Sequence, residues 1–161
     1  MMQSRIFCHD TAVSSNGNHR HVAPVRVLVV DDFEPFRRLV CSTVRNRPEV
    51  QVIAEAADGL EAVRMAEESQ PDLVLLDIGL PKLNGIAAAR QIRKLAPKAK
   101  IVFVTQEFSP DVAQEAFRSG AMAYVVKIYA GTDLPAAMDA ALEGKRFRSA
   151  AVSGKRTVSR G

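Results

Sequence analysis

LVLLD, Leu73 to Asp77, runs four apolar residues into a carboxylate and continues as IGLPKLNG over residues 78–85. A run this short, with no polar alternation and turn residues close behind it, reads as a strand covered on both faces. Such a strand carries its terminal aspartate to the rim of a sheet rather than into the interior. What that carboxylate does depends on what the rest of the chain brings to the same rim.

Similar runs recur. Val25–Val30, Gln51–Glu55, Ile101–Val104 and Ala123–Val126 are strand candidates. Helical spacing fills the gaps between them. Pro35 stands in a first turn, followed by Phe36, Leu39, Val40 and Val44, and Gly59–Glu68 presents Leu60, Val63 and Ala66 on one side. Ile86, Ala89, Ile92 and Leu95 form a third helix that stops before Pro97. Ser109 and Pro110 start a fourth as N-cap and first helical residue, with Val112, Ala113, Ala116 and Phe117 buried and Gly120 ending it. Thr132 is expected to cap the last, which carries Leu134, Met138 and Leu142 and ends at Gly144. Five strands alternating with five helices through short loops specify an α/β domain with a parallel sheet and helices on both faces.

The chain has 161 residues, 47% hydrophobic and 25% charged, which matches one ordinary globular core. No apolar run approaches the roughly 20 residues of a membrane helix, and the first residues lack the apolar stretch of a secretory signal, so a cytoplasmic protein with no membrane partner is expected. Cys8 and Cys41 form no framework and are read as reduced thiols. Residues 1–24, rich in Ser, Asn, His and Gly, are expected to be a disordered leader, and His9, His19 and His21 lack partners at ligand spacing. Residues 25–144 make the domain. From 145 to 161 the chain carries Lys145, Arg146, Arg148, Lys155, Arg156 and Arg160 with no acid, and this stretch dominates the net charge of +4. It is expected to be a basic flexible tail. Contact with nucleic acid or anionic lipid is the competing reading.

Ligands of open parallel sheets sit beyond the carboxyl ends of the strands. Asp31 and Asp32 follow the first strand, Asp77 the third, Thr105 the fourth and Lys127 the fifth. Singly, each has an ordinary explanation: an aspartate caps the next helix, a lysine is a surface charge. Together they put three carboxylates, a hydroxyl and an amine on one edge. Clustered carboxylates repel one another unless a cation joins them, and Mg2+ favours carboxylates together with a phosphate. A carboxylate is also a nucleophile towards phosphorus, and an amine and a hydroxyl supply countercharge and a hydrogen bond to phosphoryl oxygens.

The acidic pair after VLVV, the DIGLPKLNG segment, Thr105, GAMAY at 120–124 and Lys127, in that order and spacing, resemble the receiver domains of bacterial two-component response regulators. The resemblance extends from about Val25 to Gly144. It implies a flavodoxin-like (CheY-like), doubly wound, five-stranded parallel sheet, (βα)5, in strand order 2-1-3-4-5. It also implies that Asp77 accepts phosphate from a histidine kinase or phosphotransfer protein. Asp32, Asp77 and the backbone carbonyl of Gly79 would hold Mg2+ with Asp31 in support, and Lys127 would contact the phosphoryl group. Thr105 and Tyr124 match the switch pair, which would alter the surface formed by the fourth helix, fifth strand and fifth helix, where a downstream protein or a second copy of the chain in a homodimer would bind. Tyr124 read alone is an aromatic packing a sheet edge. The resemblance implies a signalling protein that assists its own phosphorylation and dephosphorylation rather than an enzyme.

Two departures stand out. Gln106 follows Thr105 where many receivers have a small residue, which would crowd the approach to the phosphoryl site. Ile128 follows Lys127 where proline is common in the family. The ending AALEGKRFRSAAV is similar to that of receivers preceding a LuxR-type helix-turn-helix domain, yet SAAVSGKRTVSRG lacks two packed helices, so no output domain is expected. Alternative functions are a truncated or tail-mediated DNA-associated regulator, though nucleic acid is not the expected partner, and a degenerate receiver that acts as a phosphate-independent interaction module.

Overall fold

A computed structural model of the chain describes residues 22–152. The leader up to residue 21 and the stretch from 153 onward, on which part of the expected leader and tail falls, lie outside the described residues. The elements follow one another as β1 (Val25–Val30), α1 (Glu34–Arg45), β2 (Val50–Ala56), α2 (Gly59–Ser69), β3 (Leu73–Leu76), α3 (Gly85–Leu95), β4 (Lys100–Thr105), α4 (Pro110–Arg118), β5 (Ala123–Val126), α5 (Ala130–Leu142) and β6 (Phe147–Arg148). The strands are all parallel, in order β2-β1-β3-β4-β5-β6.

LVLL is the central strand, bordered by β1 and β4 and buried on both faces. Alternate residues go to opposite layers. Val74 and Leu76 join Leu28, Val30, Phe103 and the buried sides of α2, α3 and α4. Leu73 and Leu75 join Val27, Val29, Val102 and the buried sides of α1 and α5. Burying a side chain of this size contributes about 1.5–3 kcal/mol, and β3 supplies such side chains to both layers. That leaves the polar work to the strand ends.

Most helix starts follow local chemistry. Asp58 accepts from the Glu61 N–H, Asn84 from Ala87 and, as expected, Ser109 from Val112. The fifth differs from expectation. Lys127–Tyr129 forms a 3-10 turn that runs directly into α5 at Ala130, so Thr132 lies inside the helix with its hydroxyl on the Tyr129 carbonyl. Leu39, Leu60 and Leu95, expected on buried faces, are exposed. Cys41 takes the inward position on α1 beside Val40 and Val44, because a helix stripe follows a 3.6-residue turn and small errors of phase exchange neighbours.

The sheet has a sixth strand that sequence reading missed. Phe147–Arg148 pairs with β5, and Ala150–Val152 forms a further 3-10 turn with Val152 buried. The expectation of a flexible tail from residue 145 is therefore corrected up to Val152. A two-residue strand amid arginines has no periodicity to detect, and its apolar anchors are single residues.

Candidate functional site

The parallel register places the ends of β1, β3, β4 and β5 side by side. Val30 faces Leu76, and Thr105, the last residue of β4, faces Val126. The Asp77 N–H donates to the Val30 carbonyl at 3.1 Å, which seats the aspartate next to Asp31. Gly85 closes the loop behind it. Its N–H donates to the Ile78 carbonyl at 2.7 Å, and a Cβ at this position would run into the Asp77 carbonyl oxygen. That close approach explains a glycine at the end of LPKLNG without any special backbone angle.

Asp31, Asp32 and Asp77 come together, with one carboxylate oxygen from each lying within 4.8 Å of the others. Asp31 and Asp77 are buried and Asp32 is exposed. Lys127 reaches between them, with Nζ 2.8 Å from Asp31 Oδ2 and 3.2 Å from Asp77 Oδ2. The other Asp31 oxygen accepts the Phe33 N–H at 2.9 Å. Neither Asp31 nor Asp32 caps α1 in the usual manner, since Phe33 is the N-cap residue. Burial raises the Asp31 carboxyl above its ordinary value, against the lowering by Lys127 and the Phe33 N–H, and the Asp77 charge adds to the rise. Burial works against the Lys127 charge, but its hydrogen bond to Asp31 and the field of Asp77 hold the ammonium above its ordinary value. Lys127 thus stays a cation, and three carboxylates face one ammonium. The excess of two negative charges beside an exposed aspartate fits a hard divalent ion that takes oxygen ligands.

The site opens on a cleft of about 1130 Å³ whose lining includes Asp32, Asp77, Gly79, Thr105, Gln106 and Lys127. Gly79 faces open space where a side chain would be, so this wall of the cleft is unobstructed. Gln106 lies exposed on the cleft wall, so it narrows the cleft without sealing it. Among the described residues no peptide bond is cis, and Ile128 simply continues the 3-10 turn.

Thr105 is buried, and its Oγ accepts the Glu107 N–H at 3.4 Å. Tyr124 is fully buried, with its ring 6.4 Å from that of Phe117, and its hydroxyl donates to the Glu107 carbonyl at 3.0 Å. Burial, then the nearby acids Glu107 and Asp77, push its phenol well above the ordinary range, so it stays a donor. The aromatic packs inward against Phe117.

Sequence reasoning missed three supporting residues. Glu107 joins Thr105 to Tyr124 through its backbone, which no side-chain pattern reveals. The Phe36 ring lies 4.6 Å from Lys127 Nζ, a cation–π contact. Arg37 donates to the Asp31 carbonyl at 2.8 Å and pairs with Glu55 at 2.9 Å, fixing the turn after β1. Arg37 stands beside Arg38 in the first turns of α1, and nothing in the sequence alone set one apart from the other.

The family model for the response regulator receiver domain matches residues 27–139. The chain belongs to that family. It is 33% identical over 131 residues to the transcriptional regulatory protein LiaR of Bacillus subtilis (strain 168), covering 81% of this chain and 62% of that protein. It is 38% identical over 112 residues to a protein-glutamate methylesterase/protein-glutamine glutaminase of Thermotoga maritima, covering 68% of this chain and 32% of the other. The crystal structure of a LuxR-family two-component response regulator from Aurantimonas sp. SI85-9A1 superimposes with a TM-score of 0.77 at 36% identity, covering 81% of this chain and 94% of that one. The receiver therefore spans less than two-thirds of either curated relative. What the relatives share with it is the receiver of two-component signal transduction, and the remainder of each lies outside the match. Most members of the family are signalling proteins rather than enzymes. No helix among the described residues is long and apolar enough to cross a membrane.

Proposed function

We propose that this receiver is phosphorylated on Asp77 and signals through a partner protein. The observation that carries the reading is the Asp77 carboxylate itself, presented at the end of a fully buried strand on the floor of an open cleft, with Lys127 bridging it to Asp31 and Asp32 close by. A carboxylate oxygen of Asp77 attacks the phosphorus of a phosphohistidine on a histidine kinase or phosphotransfer protein. The new oxygen–phosphorus bond forms as the nitrogen–phosphorus bond breaks, and the imidazole leaves with the electron pair and takes a proton. Lys127, already 3.2 Å from Asp77, turns its ammonium to a phosphoryl oxygen while its contact with Phe36 keeps it within reach. Thr105 gives up its weak 3.4 Å contact with Glu107 and donates its hydroxyl to a second phosphoryl oxygen.

Asp32 and Asp77, with Asp31 behind them and the Gly79 carbonyl on the cleft wall, would hold Mg2+. When bound, this ion would neutralise charge on the phosphoryl oxygens. The role of Asp31 is to position Lys127 and to add to the negative field.

The readout is a population shift in which Thr105 and Tyr124, joined through Glu107, alter the face made by α4, β5 and α5. A downstream protein, or a second copy of the chain, recognises that face. In this reading the receiver assists its own phosphorylation and dephosphorylation and turns over no external substrate, and residues 25–144 contain all of its reactive groups.

The test is incubation with a small phosphodonor and Mg2+ followed by intact-mass measurement. One added phosphoryl group is expected, and it is lost in Asp77→Asn. Labelling that survives the substitution, or no labelling by either a small donor or a kinase, overturns the reading.

A further inference from the structure

The face that the proposed function gives to a partner is partly covered by the chain's own C-terminal side. Phe147 donates its N–H to the Met122 carbonyl at 3.1 Å, and β6 runs along the β5 edge with Phe147 beside Ala123 and Arg148 beside Tyr124. Arg146 and Arg148 place their guanidinium groups 5.1 and 5.6 Å from the Phe117 ring of α4. Val152 turns back into the layer that contains Tyr124. The segment bridges α4, β5 and α5.

Its anchor is Ser149, which is fully buried. The Ser149 N–H donates to the Tyr124 carbonyl at 2.9 Å, and its Oγ accepts the Val126 N–H at 3.0 Å. The hydroxyl donates to Asp133 Oδ2 on α5 at 2.6 Å, and the Val152 N–H closes the turn onto the Ser149 carbonyl at 3.0 Å. One small side chain thus ties the segment to the backbone of the switch tyrosine, to the residue directly before Lys127, and to the fifth helix. A fully buried hydroxyl is costly to leave without its partners, so the segment it ties down holds as a unit or lets go as a unit.

We propose that residues 147–152 are a latch on the β5 edge, seated by Ser149 and released when Lys127 and Thr105 turn towards a phosphoryl group on Asp77. The inference rests on the phosphoacceptor reading above. Lys127 directly follows Val126, whose N–H is bonded to Ser149 Oγ, and the Tyr124 carbonyl accepts the Ser149 N–H, so a backbone shift at either switch position reaches the latch. While seated, the latch occupies the strand edge that would otherwise offer unpaired N–H and C=O groups to a partner. Phosphorylation then acts on the partner-binding face by removing a competitor that belongs to the same chain.

Hydrogen exchange of the full chain, followed by mass spectrometry, tests this directly. The probe is beryllium fluoride with Mg2+, and its occupancy of the site is read independently by fluorine NMR. With the probe bound, peptides covering 145–152 are expected to exchange about tenfold faster or more, while peptides over β3 stay unchanged. Ser149→Ala should give the same acceleration with no probe, and Asp133→Asn should reproduce it if Ser149→Ala perturbs β3. Bound probe with unchanged exchange at 145–152 overturns the coupling, and unchanged exchange in both variants overturns the latch. A site that takes no probe refutes the phosphoacceptor reading and the coupling with it, and the Ser149→Ala result still decides whether the latch is held as described.

Discussion

Thr105 and Tyr124 both hydrogen-bond the backbone of one residue, Glu107: the threonine accepts its N–H at 3.4 Å and the tyrosine donates to its carbonyl at 3.0 Å. They sit on neighbouring strands with side chains that differ in size and chemistry, yet neither can reorient without altering the support of the other. Removing the phenol alone, with Tyr124→Phe, leaves the ring packed and the Glu107 carbonyl without its donor. The cost expected in urea unfolding is about 1 kcal/mol. In a double-mutant cycle with Thr105→Ala the two losses should fail to add by about 0.5 kcal/mol or more, because they share one backbone segment. Strict additivity would mean that Glu107 does not couple them.

The charge excess at the site predicts how stability responds to divalent ions. Mg2+ held at the proposed site would bind the folded chain alone, so a concentration ten times its dissociation constant should raise unfolding free energy by about 1.4 kcal/mol. Asp32 is exposed, and replacing it with Asn should leave stability in a chelator within about 0.5 kcal/mol of the parent while abolishing most of the response to Mg2+. A thermal-melt titration of the two proteins measures both.

Glycine positions around the loop should separate cleanly. An added Cβ at Gly85 meets the Asp77 carbonyl and the Ile78 backbone, and at Gly59 it meets the Leu83 carbonyl, whereas Gly79 has open space. Gly85→Ala and Gly59→Ala are each expected to cost about 1–3 kcal/mol through forced backbone shifts. Gly79→Ala should be neutral to within about 0.5 kcal/mol. Chemical denaturation of the three variants gives the ranking, and equal costs would contradict it.

Cys41 should be chemically silent. Burial, reinforced by the Glu55 charge, pushes its thiol up to about 12, so at pH 8 only about one part in ten thousand is thiolate. In a Cys8→Ser background, alkylation at pH 8 is expected only through unfolding, and its rate should rise steeply with denaturant. Rapid labelling of the native protein would show that α1 opens locally at this position.

The chemistry of the site was legible because it is attached to strand ends. Apolar runs such as LVLL and VLVV declare strands buried on both faces, and the residue after each must emerge at the same sheet edge, so Asp31, Asp32, Asp77, Thr105 and Lys127 could be assembled before any coordinates. Helix phase was less legible. Leu39 and Cys41 exchange places because the inward direction of α1 depends on how it leans on β1 and β2.

Pattern alone therefore determined the parallel α/β architecture, a third strand buried on both faces and the set of polar groups at the sheet's rim, since each follows from periodicity and from the geometry of parallel strands. Only the tertiary structure decided what those groups touch. Lys127 bridges Asp31 and Asp77 against the Phe36 ring, Glu107 links Thr105 to Tyr124 through its backbone, and Ser149 ties a sixth strand to β5. These contacts join residues far apart in the chain, often through peptide groups that every residue carries. Local sequence holds no record of such pairings, because the distances that create them exist only once the two layers have closed on the sheet.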